Sequence, residues 1–204
     1  MNPTPPDLVV LRPLDAELLT ELLDTAVTDA DPAEVMPPDG PVDGPAGSTP
    51  DSAPGGAPET AGAAGWTEAR REAFLRFHRS HSLGPAPDQA TYAVVVTEPG
   101  EAGRPAKRVA GAARLAPRPE PGAVEAGVWL GRSYRGRGVG TRVFARLLAA
   151  ARERGATRLY AHTTAGNAAV RRLLTVAGAD LERHGDGTVT AWVRLERRPV
   201  AGPG

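Results

Sequence analysis

Residues 124 to 148 read VEAGVWLGRSYRGRGVGTRVFARLL, and the spacing of the apolar residues changes within this stretch. The run Val124–Leu130 has the length of a strand. Its alternation places Glu125, Gly127 and Trp129 on one face, opposite Val124, Ala126, Val128 and Leu130. From Val139 onward, apolar residues recur at three- and four-residue intervals, which predicts an amphipathic helix that ends near Gly155. A strand is therefore predicted to pass into a helix through a short glycine-rich loop.

The loop Arg135-Gly136-Arg137-Gly138-Val139-Gly140 has the composition of an anion-binding loop. Its glycines allow backbone amides to turn inward, and the helix that follows adds unpaired amides and the positive end of its dipole. Arg135, Arg137 and Arg142 add mobile positive charge, so we predict a phosphorylated cofactor. A dinucleotide-binding fold would need G-x-G-x-x-G in a βαβ unit, and a P-loop would need Gly-Lys-Ser/Thr, so both fit poorly.

Apolar periodicity predicts the other elements of the fold. Further strands are predicted at Leu8–Leu14, Thr91–Thr97, Arg108–Leu115, Arg158–His162, Ala179–His184 and Thr188–Glu196. Further helices are predicted from Leu14 to Val27, from Thr67 to His81 with Ala73, Phe74, Phe77 and His81 along one side, and from Asn167 to Ala177. The expected fold is mixed α/β, a mostly antiparallel seven-stranded sheet flanked by four helices.

The segment Pro37–Gly65 interrupts the periodic pattern. It is rich in Pro, Gly, Ala, Ser, Asp and Thr and contains almost nothing to bury. Such a segment cannot offset the entropy lost on ordering. We therefore predict a single domain over residues 1 to 204 that contains a disordered insertion at 37 to 65.

Composition and charge exclude several classes of function. The 204 residues carry 24 Lys and Arg against 24 Asp and Glu, so no overall field attracts nucleic acid or an anionic membrane. The chain has no cysteine, which excludes disulfides, thiolate metal sites and a cysteine nucleophile. The four histidines lack metal-ligand spacing, so no metal is predicted. Without a targeting segment or a run of roughly 20 apolar residues, the protein is expected to be cytoplasmic.

The order of elements, and specifically the stretch from Val124 to Gly178, resembles the GNAT superfamily of acetyl-CoA-dependent N-acetyltransferases. The loop of that family contains Arg or Gln, two residues, Gly, one residue, and Gly or Ala. Arg135, Gly138 and Gly140 match this pattern. The resemblance implies acetyl-CoA as co-substrate and transfer of its acetyl group to an amine.

The resemblance also implies which residues bind the co-substrate. They are Val128, Trp129 and Leu130 along the pantetheine arm, and Arg135, Gly136, Arg137, Gly138, Val139, Gly140 and Thr141 around the phosphates. Asn167 would hydrogen-bond the pantetheine arm or its neighbours. As an Asn before Ala-Ala-Val, it fits equally well as a helix N-cap.

Glu125 is the candidate general base, because attack on a thioester needs a neutral amine. It lies in an otherwise apolar strand, where we expect it to be buried beside Trp129. In related protein-lysine and N-terminal acetyltransferases, a glutamate ten positions before the loop's first conserved residue has this role, and Glu125 lies ten before Arg135. The amine would attack directly, with a backbone N–H near Leu130 stabilising the oxyanion. The alternative is a glutamate on a solvated face of the sheet.

Leu174 stands where many family members carry the tyrosine that protonates the departing thiolate. Tyr134 and Tyr160 are candidate replacements, although both also suit packing roles. The departure motivates an alternative function, a non-catalytic acyl-CoA-binding regulatory module, and nucleotide binding by the loop is a third reading. The acceptor stays open between a protein N-terminus, a lysine and a small-molecule amine. A homodimer also stays open, because many relatives dimerise.

Overall fold

The computed structural model describes residues 8–35, 65–100 and 104–195, which form one seven-stranded sheet with helices on both faces. The strands are β1 (Val9–Pro13), β2 (Ala90–Pro99), β3 (Pro105–Pro117), β4 (Ala123–Leu130), β5 (Arg158–Thr164), β6 (Asp180–Arg183) and β7 (Thr188–Arg194). The helices are α1 (Ala16–Asp29), α2 (Pro32–Val35), α3 (Glu68–His81), α4 (Val139–Glu153) and α5 (Ala168–Val176). The predicted insertion lies outside the described residues, apart from Gly65.

The sheet has the order β1-β2-β3-β4-β5-β7-β6. Every neighbouring pair is antiparallel except β4 and β5, which are parallel. This architecture confirms the predicted fold class and places the parallel pair in the middle of the sheet. The prediction of four helices omitted α2, a single turn in which the Asp31 side chain accepts a hydrogen bond from Ala33 N–H over 2.9 Å. Such a short helix has too few apolar positions for a periodic pattern.

Polar side chains cap the N-termini of α1, α3 and α5. The Asp15 carboxylate accepts from Leu18 N–H over 2.8 Å at the start of α1. The Thr67 hydroxyl accepts from Arg70 N–H over 3.3 Å at the start of α3, and Asn167 Oδ1 accepts from Val170 N–H over 3.2 Å at the start of α5. Each cap satisfies one amide that has no partner within its helix.

Two apolar cores lie on opposite faces of the sheet. In the first, α4 and α5 bury Val143, Leu147 and Leu174 against strand residues that include Val94 and Leu159. In the second, α1 and α3 bury Leu22 and Phe74 against Ala93 and Val95. Each fully buried Leu or Phe contributes about 1.5–3 kcal/mol relative to an exposed position. The helix start after β4 is therefore anchored to the sheet by the first core.

The buried histidine of α3 differs from the one expected. His81, which was predicted to lie along one side of the helix with the apolar residues Ala73, Phe74 and Phe77, pairs with Asp88 over 2.9 Å, and 42% of its side chain is exposed. His78 is the buried one, with its ring 4.6 Å from the Phe74 ring. Burial, and next the nearby Arg114 charge, lower the pKa of His78 from 6.5 to about 4. The folded chain therefore holds this imidazole neutral.

This buried imidazole predicts a pH-dependent stability. Between the unfolded pKa of 6.5 and the folded pKa of about 4, the unfolded chain binds the proton more readily, so stability falls as the pH falls. The contribution of His78 to the free energy of unfolding is expected to drop by about 2 kcal/mol between pH 7 and pH 5. Urea denaturation at both pH values would measure it.

His78→Leu is expected to remove most of that pH dependence, whereas His81→Gln, an exposed histidine on the same helix, should retain it. If the two variants showed the same difference between pH 7 and pH 5 as the unmodified chain, buried His78 would not be its source.

Candidate active site between the central strands

The parallel strands β4 and β5 separate in the middle of the sheet. Their register covers only Ala123–Glu125 against Arg158–Tyr160. Beyond these residues, β4 continues to Leu130 against β3, and β5 continues to Thr164 against β7. The sheet therefore has a gap between two adjacent strands that are both held in place by their other neighbours.

Hydrogen bonds at both ends of β4 fix which of its backbone groups face the gap. Gly131 N–H donates to the Ala110 carbonyl over 2.9 Å, and Arg118 N–H donates to the Ala123 carbonyl over 3.1 Å. Backbone groups alternate in direction along an antiparallel strand, so the odd-numbered residues of β4 direct their amides and carbonyls toward β3. The even-numbered residues direct theirs toward β5.

Ala126, Val128 and Leu130 therefore present backbone groups to the gap, and this edge can add an extended ligand as a strand would. Trp129 does not: its backbone faces β3, and its indole packs with the α1 and α3 core. The face alternation predicted for β4 agrees with the packing, since Val124, Ala126 and Leu130 contact the opposite core.

The glycine loop lies at the end of β4, where α4 begins. Gly138 is the N-cap of α4 with φ of 78° and ψ of 0°, in the left-handed region that favours glycine. Gly136 also has a positive φ of 71°. Residues 135 to 138 are exposed, so the loop amides and the N-terminus of a 15-residue helix are open to an anion beside the gap.

The loop arginines are held by carboxylates. Arg135 donates from Nε to the Leu130 carbonyl over 2.9 Å and pairs with Glu34 over 2.6 Å. Arg137 pairs with Glu98 over 2.8 Å. The hydrogen bond from Arg135 is the main cause that lowers the pKa of Glu34. The mobile positive charge expected at these two arginines is thus partly neutralised, and Arg135 ties the end of β4 to the loop.

Glu125 is the last residue of β4 to pair with β5, so it lies where the two strands separate. Its carboxylate accepts from Arg118 over 3.0 Å and faces Arg114 at 3.8 Å, and 32% of its side chain is exposed. The prediction that Glu125 has apolar surroundings is therefore wrong, because two guanidinium groups face its carboxylate.

Gly127 makes room for one of those arginines. It is the register partner of Arg114, and a Cβ at this position would lie 2.8 Å from Arg114 Nε. The Arg114 side chain thus crosses β4 where a side chain is missing and reaches Glu125. Arg114 also lies 5.9 Å from the Phe77 ring centroid of α3, which places Glu125 on the α1 and α3 face of the sheet.

An aromatic pair adjoins Glu125 on the same face. Tyr160, the register partner of Glu125, has its ring 5.1 Å from the Trp192 ring. The Arg118 guanidinium lies 4.0 Å from the Tyr160 centroid and 5.6 Å from that of Trp192. Hydrogen bonding to Glu120 is the main cause that raises the pKa of Arg118, so the guanidinium stays charged. Arg118 thus links the candidate base to the aromatic pair.

The structure also places the other residues discussed from the sequence, Asn167, Leu174 and Tyr134. The Asn167 amide oxygen caps α5, which confirms the N-cap reading and leaves a contact with the pantetheine arm as a prediction. Leu174 is fully buried in the first core. Tyr134, whose pKa is raised mainly by burial, lines a cavity of about 460 Å³ between α1 and β3. Glu125 and the glycine loop do not line this cavity, so it is distinct from the gap.

Sequence reasoning missed Arg118 and Glu34. Arg118 lies between two prolines in the β3–β4 turn, where the sequence predicts only a turn, and Glu34 belongs to the unpredicted helix α2. The alternation of β3 could have placed Arg114 on the face of Ala112, but not opposite Gly127.

In the part of the chain that the structure describes, no group of three or more His, Cys, Asp or Glu residues could hold a metal ion. No described helix is long and apolar enough to cross a membrane.

Comparison with known proteins gives a family and a fold. The model of the acetyltransferase (GNAT) family matches residues 62–178. No curated protein sequence matches the chain. Among solved structures, spermidine N-acetyltransferase from Vibrio cholerae, in complex with CoA and spermine, is 12% identical with a TM-score of 0.60, over 94% of this chain and 98% of that chain.

Two further solved structures give the same result. The GNAT domain of S. lividans PAT is 17% identical with a TM-score of 0.57, over 91% of this chain and 89% of that chain. An N-acetyltransferase from Staphylococcus aureus Mu50 is 17% identical with a TM-score of 0.53, over 92% of this chain and 99% of that chain. At these identities the likeness shows the fold alone.

Proposed function

Because this chain belongs to the acetyltransferase (GNAT) family, we propose that it transfers an acetyl group from acetyl-CoA to an amine. The observation that carries the proposal is the gap between β4 and β5, which lies beside an exposed glycine loop at the start of α4. An extended arm with a phosphorylated end fits the two features together. The CoA bound to the Vibrio cholerae neighbour supports the choice of co-substrate.

The residues of the gap fit acetyl-CoA in two ways. The backbone edge at Val128 and Leu130 suits the amides of the pantetheine arm, and the amides from Arg135 to Thr141 suit the pyrophosphate. The Leu130 carbonyl is taken by Arg135, so on this edge the Leu130 amide is the group proposed to stabilise the oxyanion. Trp129 contributes by packing, because its backbone faces β3.

Glu125 is proposed to accept the proton of the acceptor amine. Arg118 and Arg114 hold its carboxylate at the point where the gap begins, and 32% of the Glu125 side chain is exposed. The amine nitrogen forms a bond to the acetyl carbon, the carbon–sulfur bond breaks, the proton passes to Glu125, and CoA leaves as the thiolate. Leu174 is buried in the core, so we assign no side chain to protonate the thiolate.

A thermal-shift titration with acetyl-CoA tests the first half of this proposal. A ligand that binds only the folded chain stabilises it by about 2.7 kcal/mol at a hundredfold excess over its Kd. We expect acetyl-CoA to stabilise the protein and NAD and ATP to do so much less. If neither acetyl-CoA nor longer acyl-CoAs raised the melting temperature, or if NAD or ATP raised it more, the proposed co-substrate would be wrong.

A second candidate is a regulatory module that binds acyl-CoA without turnover. The observation that favours it is Leu174, which fills the family's tyrosine position with a fully buried apolar side chain. A module of this kind would be stabilised by acetyl-CoA but would release no CoA thiol with any amine. A thiol-release assay with peptides, lysine-containing substrates and small amines therefore separates the two functions.

A further inference from the structure

We infer that the acceptor is an amine that also carries a side-chain carboxylate, as in glutamate or in a peptide with an acidic residue near its N-terminus. This inference rests on the proposed acetyl transfer with Glu125 as the base. It is carried by two arginines, Arg158 and Arg194, on the sheet face beside the aromatic pair. The acceptor's carboxylate would bind to them while its amine reaches Glu125.

Arg158 of β5 and Arg194 of β7 lie directly opposite one another in the antiparallel register. Leu195 N–H donates to the Thr157 carbonyl over 2.8 Å, so the next pair along is a non-hydrogen-bonded pair, in which side chains are closest. Like charges in this position destabilise a sheet. Neither arginine has a carboxylate within ion-pair distance among the described residues. Glu120, whose pKa is lowered mainly by its hydrogen bond from Arg118 and to a smaller extent by the Arg158 charge, offsets only part of their repulsion. An anionic ligand would offset their repulsion.

The aromatic pair holds one of these arginines in place. The Arg158 guanidinium lies 5.0 Å from the Trp192 ring centroid. A guanidinium stacked on an aromatic ring keeps its N–H donors directed outward in its own plane, where they match the two oxygens of a carboxylate. Both arginine side chains are exposed, so a ligand can reach them. Asp180 of the edge strand pairs in register with Trp192 and forms no ion pair with either arginine.

The register of the strands places Arg158 near the candidate base. Tyr160 pairs with Glu125 across the parallel strands, and Arg158 lies two residues earlier on β5. Two residues of a strand span about 6.6 Å along the backbone, so the strand position of Arg158 is close to that of the residue facing Glu125. The side-chain carboxylate of a glutamate lies four bonds from its amine nitrogen, and an acidic residue near a peptide's N-terminus lies one or two residues from it. The long, exposed side chain of Arg158 can approach a carboxylate in either position. A polyamine such as spermidine would instead bring a second cation toward two arginines.

Matched acceptors test this inference with acetyl-CoA in a thiol-release assay. Glutamate is compared with glutamine, and the peptide Ala-Ala-Glu amide with Ala-Ala-Gln amide, because each pair differs only in charge. We expect at least one acidic acceptor to be preferred about 10- to 100-fold in kcat/KM over its neutral partner. Preference within the amino acid pair or the peptide pair identifies the source of the carboxylate.

Arg158→Gln and Arg194→Gln are each expected to reduce that preference toward unity. Arg158→Lys should restore part of it, because the charge returns without the planar fork. Arg79→Gln, an exposed arginine on α3, serves as the matched control and should keep the preference. A thermal shift with acetyl-CoA, measured for each variant, checks that the variant is folded and binds its co-substrate.

Transfer to spermidine or to the neutral acceptors, in preference to both acidic ones, would overturn the inference and leave acetyl transfer itself established. An acidic preference that survived in both Arg158→Gln and Arg194→Gln would overturn the assignment to these arginines. If acetyl-CoA bound but no acceptor were acetylated, both the inference and the proposed turnover would be wrong.

Discussion

Gly138→Asp is expected to remove most of the stabilisation that acetyl-CoA gives to this chain. Gly138 caps α4 with φ of 78°, and its amide belongs to the loop proposed to surround the pyrophosphate. A carboxylate at this position faces the phosphates with like charge, which costs several kcal/mol at an interface. A hundredfold weaker Kd would reduce a stabilisation of about 2.7 kcal/mol to about 0.4 kcal/mol at the same ligand concentration. Thermal-shift titration measures both values.

Gly155→Asp is the matched control for this substitution. Gly155 follows the other end of α4 with φ of 82°, and a Cβ there would meet no atom within 4 Å. The two substitutions therefore impose similar backbone strain and add the same charge, but only one of them does so at the loop. Gly155→Asp should keep the full shift, and Gly138→Asn, which lacks the charge, should lose less than Gly138→Asp. A full shift in Gly138→Asp would show that acetyl-CoA does not bind at this loop.

The order of elements could be predicted from the sequence, because it depends on local patterns. Apolar residues at helical spacing gave α1 and α4, and Asn167 was a predicted N-cap that the structure confirms at the start of α5. Pro/Gly-rich turns separated the strands of the antiparallel half. Periodicity did not predict α2, because this helix is too short to show a repeating pattern. It also did not identify which of the two histidines in α3, His78 or His81, is buried.

The surroundings of the site depend on strand register, which the sequence does not contain. Alternation placed Glu125 on the correct face, but only the pairing of β3 with β4 brings Arg114 across Gly127 to that carboxylate. Arg118 reaches Glu125 from a turn, and the loop arginines meet Glu34 and Glu98 from distant elements. These ion pairs, which only the folded structure shows, give Glu125 charged partners and partly neutralise the loop arginines.

Glu125→Gln is expected to lower kcat by about 10²- to 10⁴-fold, the usual contribution of a positioned general base. Glutamine keeps the shape of the side chain and can still accept a hydrogen bond from Arg118, but it cannot take the proton of the amine. Glu125 is not part of the proposed CoA-binding edge, so the thermal shift with acetyl-CoA should be unchanged. Steady-state thiol release at saturating acetyl-CoA, with the acceptor identified by the panel above, gives the measurement.

Glu120→Gln separates proton transfer from the placement of Arg118. Glu120 pairs with the same guanidinium over 3.0 Å, so its loss disturbs Arg118 without removing the candidate base. If Glu125 is the base, Glu120→Gln should keep kcat within a few fold of the unmodified chain, and Glu125→Gln should lie at least about 100-fold below it. Equal losses in the two variants would mean that the carboxylates act by holding Arg118 over the aromatic pair. The proton would then leave the amine by another route, and the base assignment would be wrong.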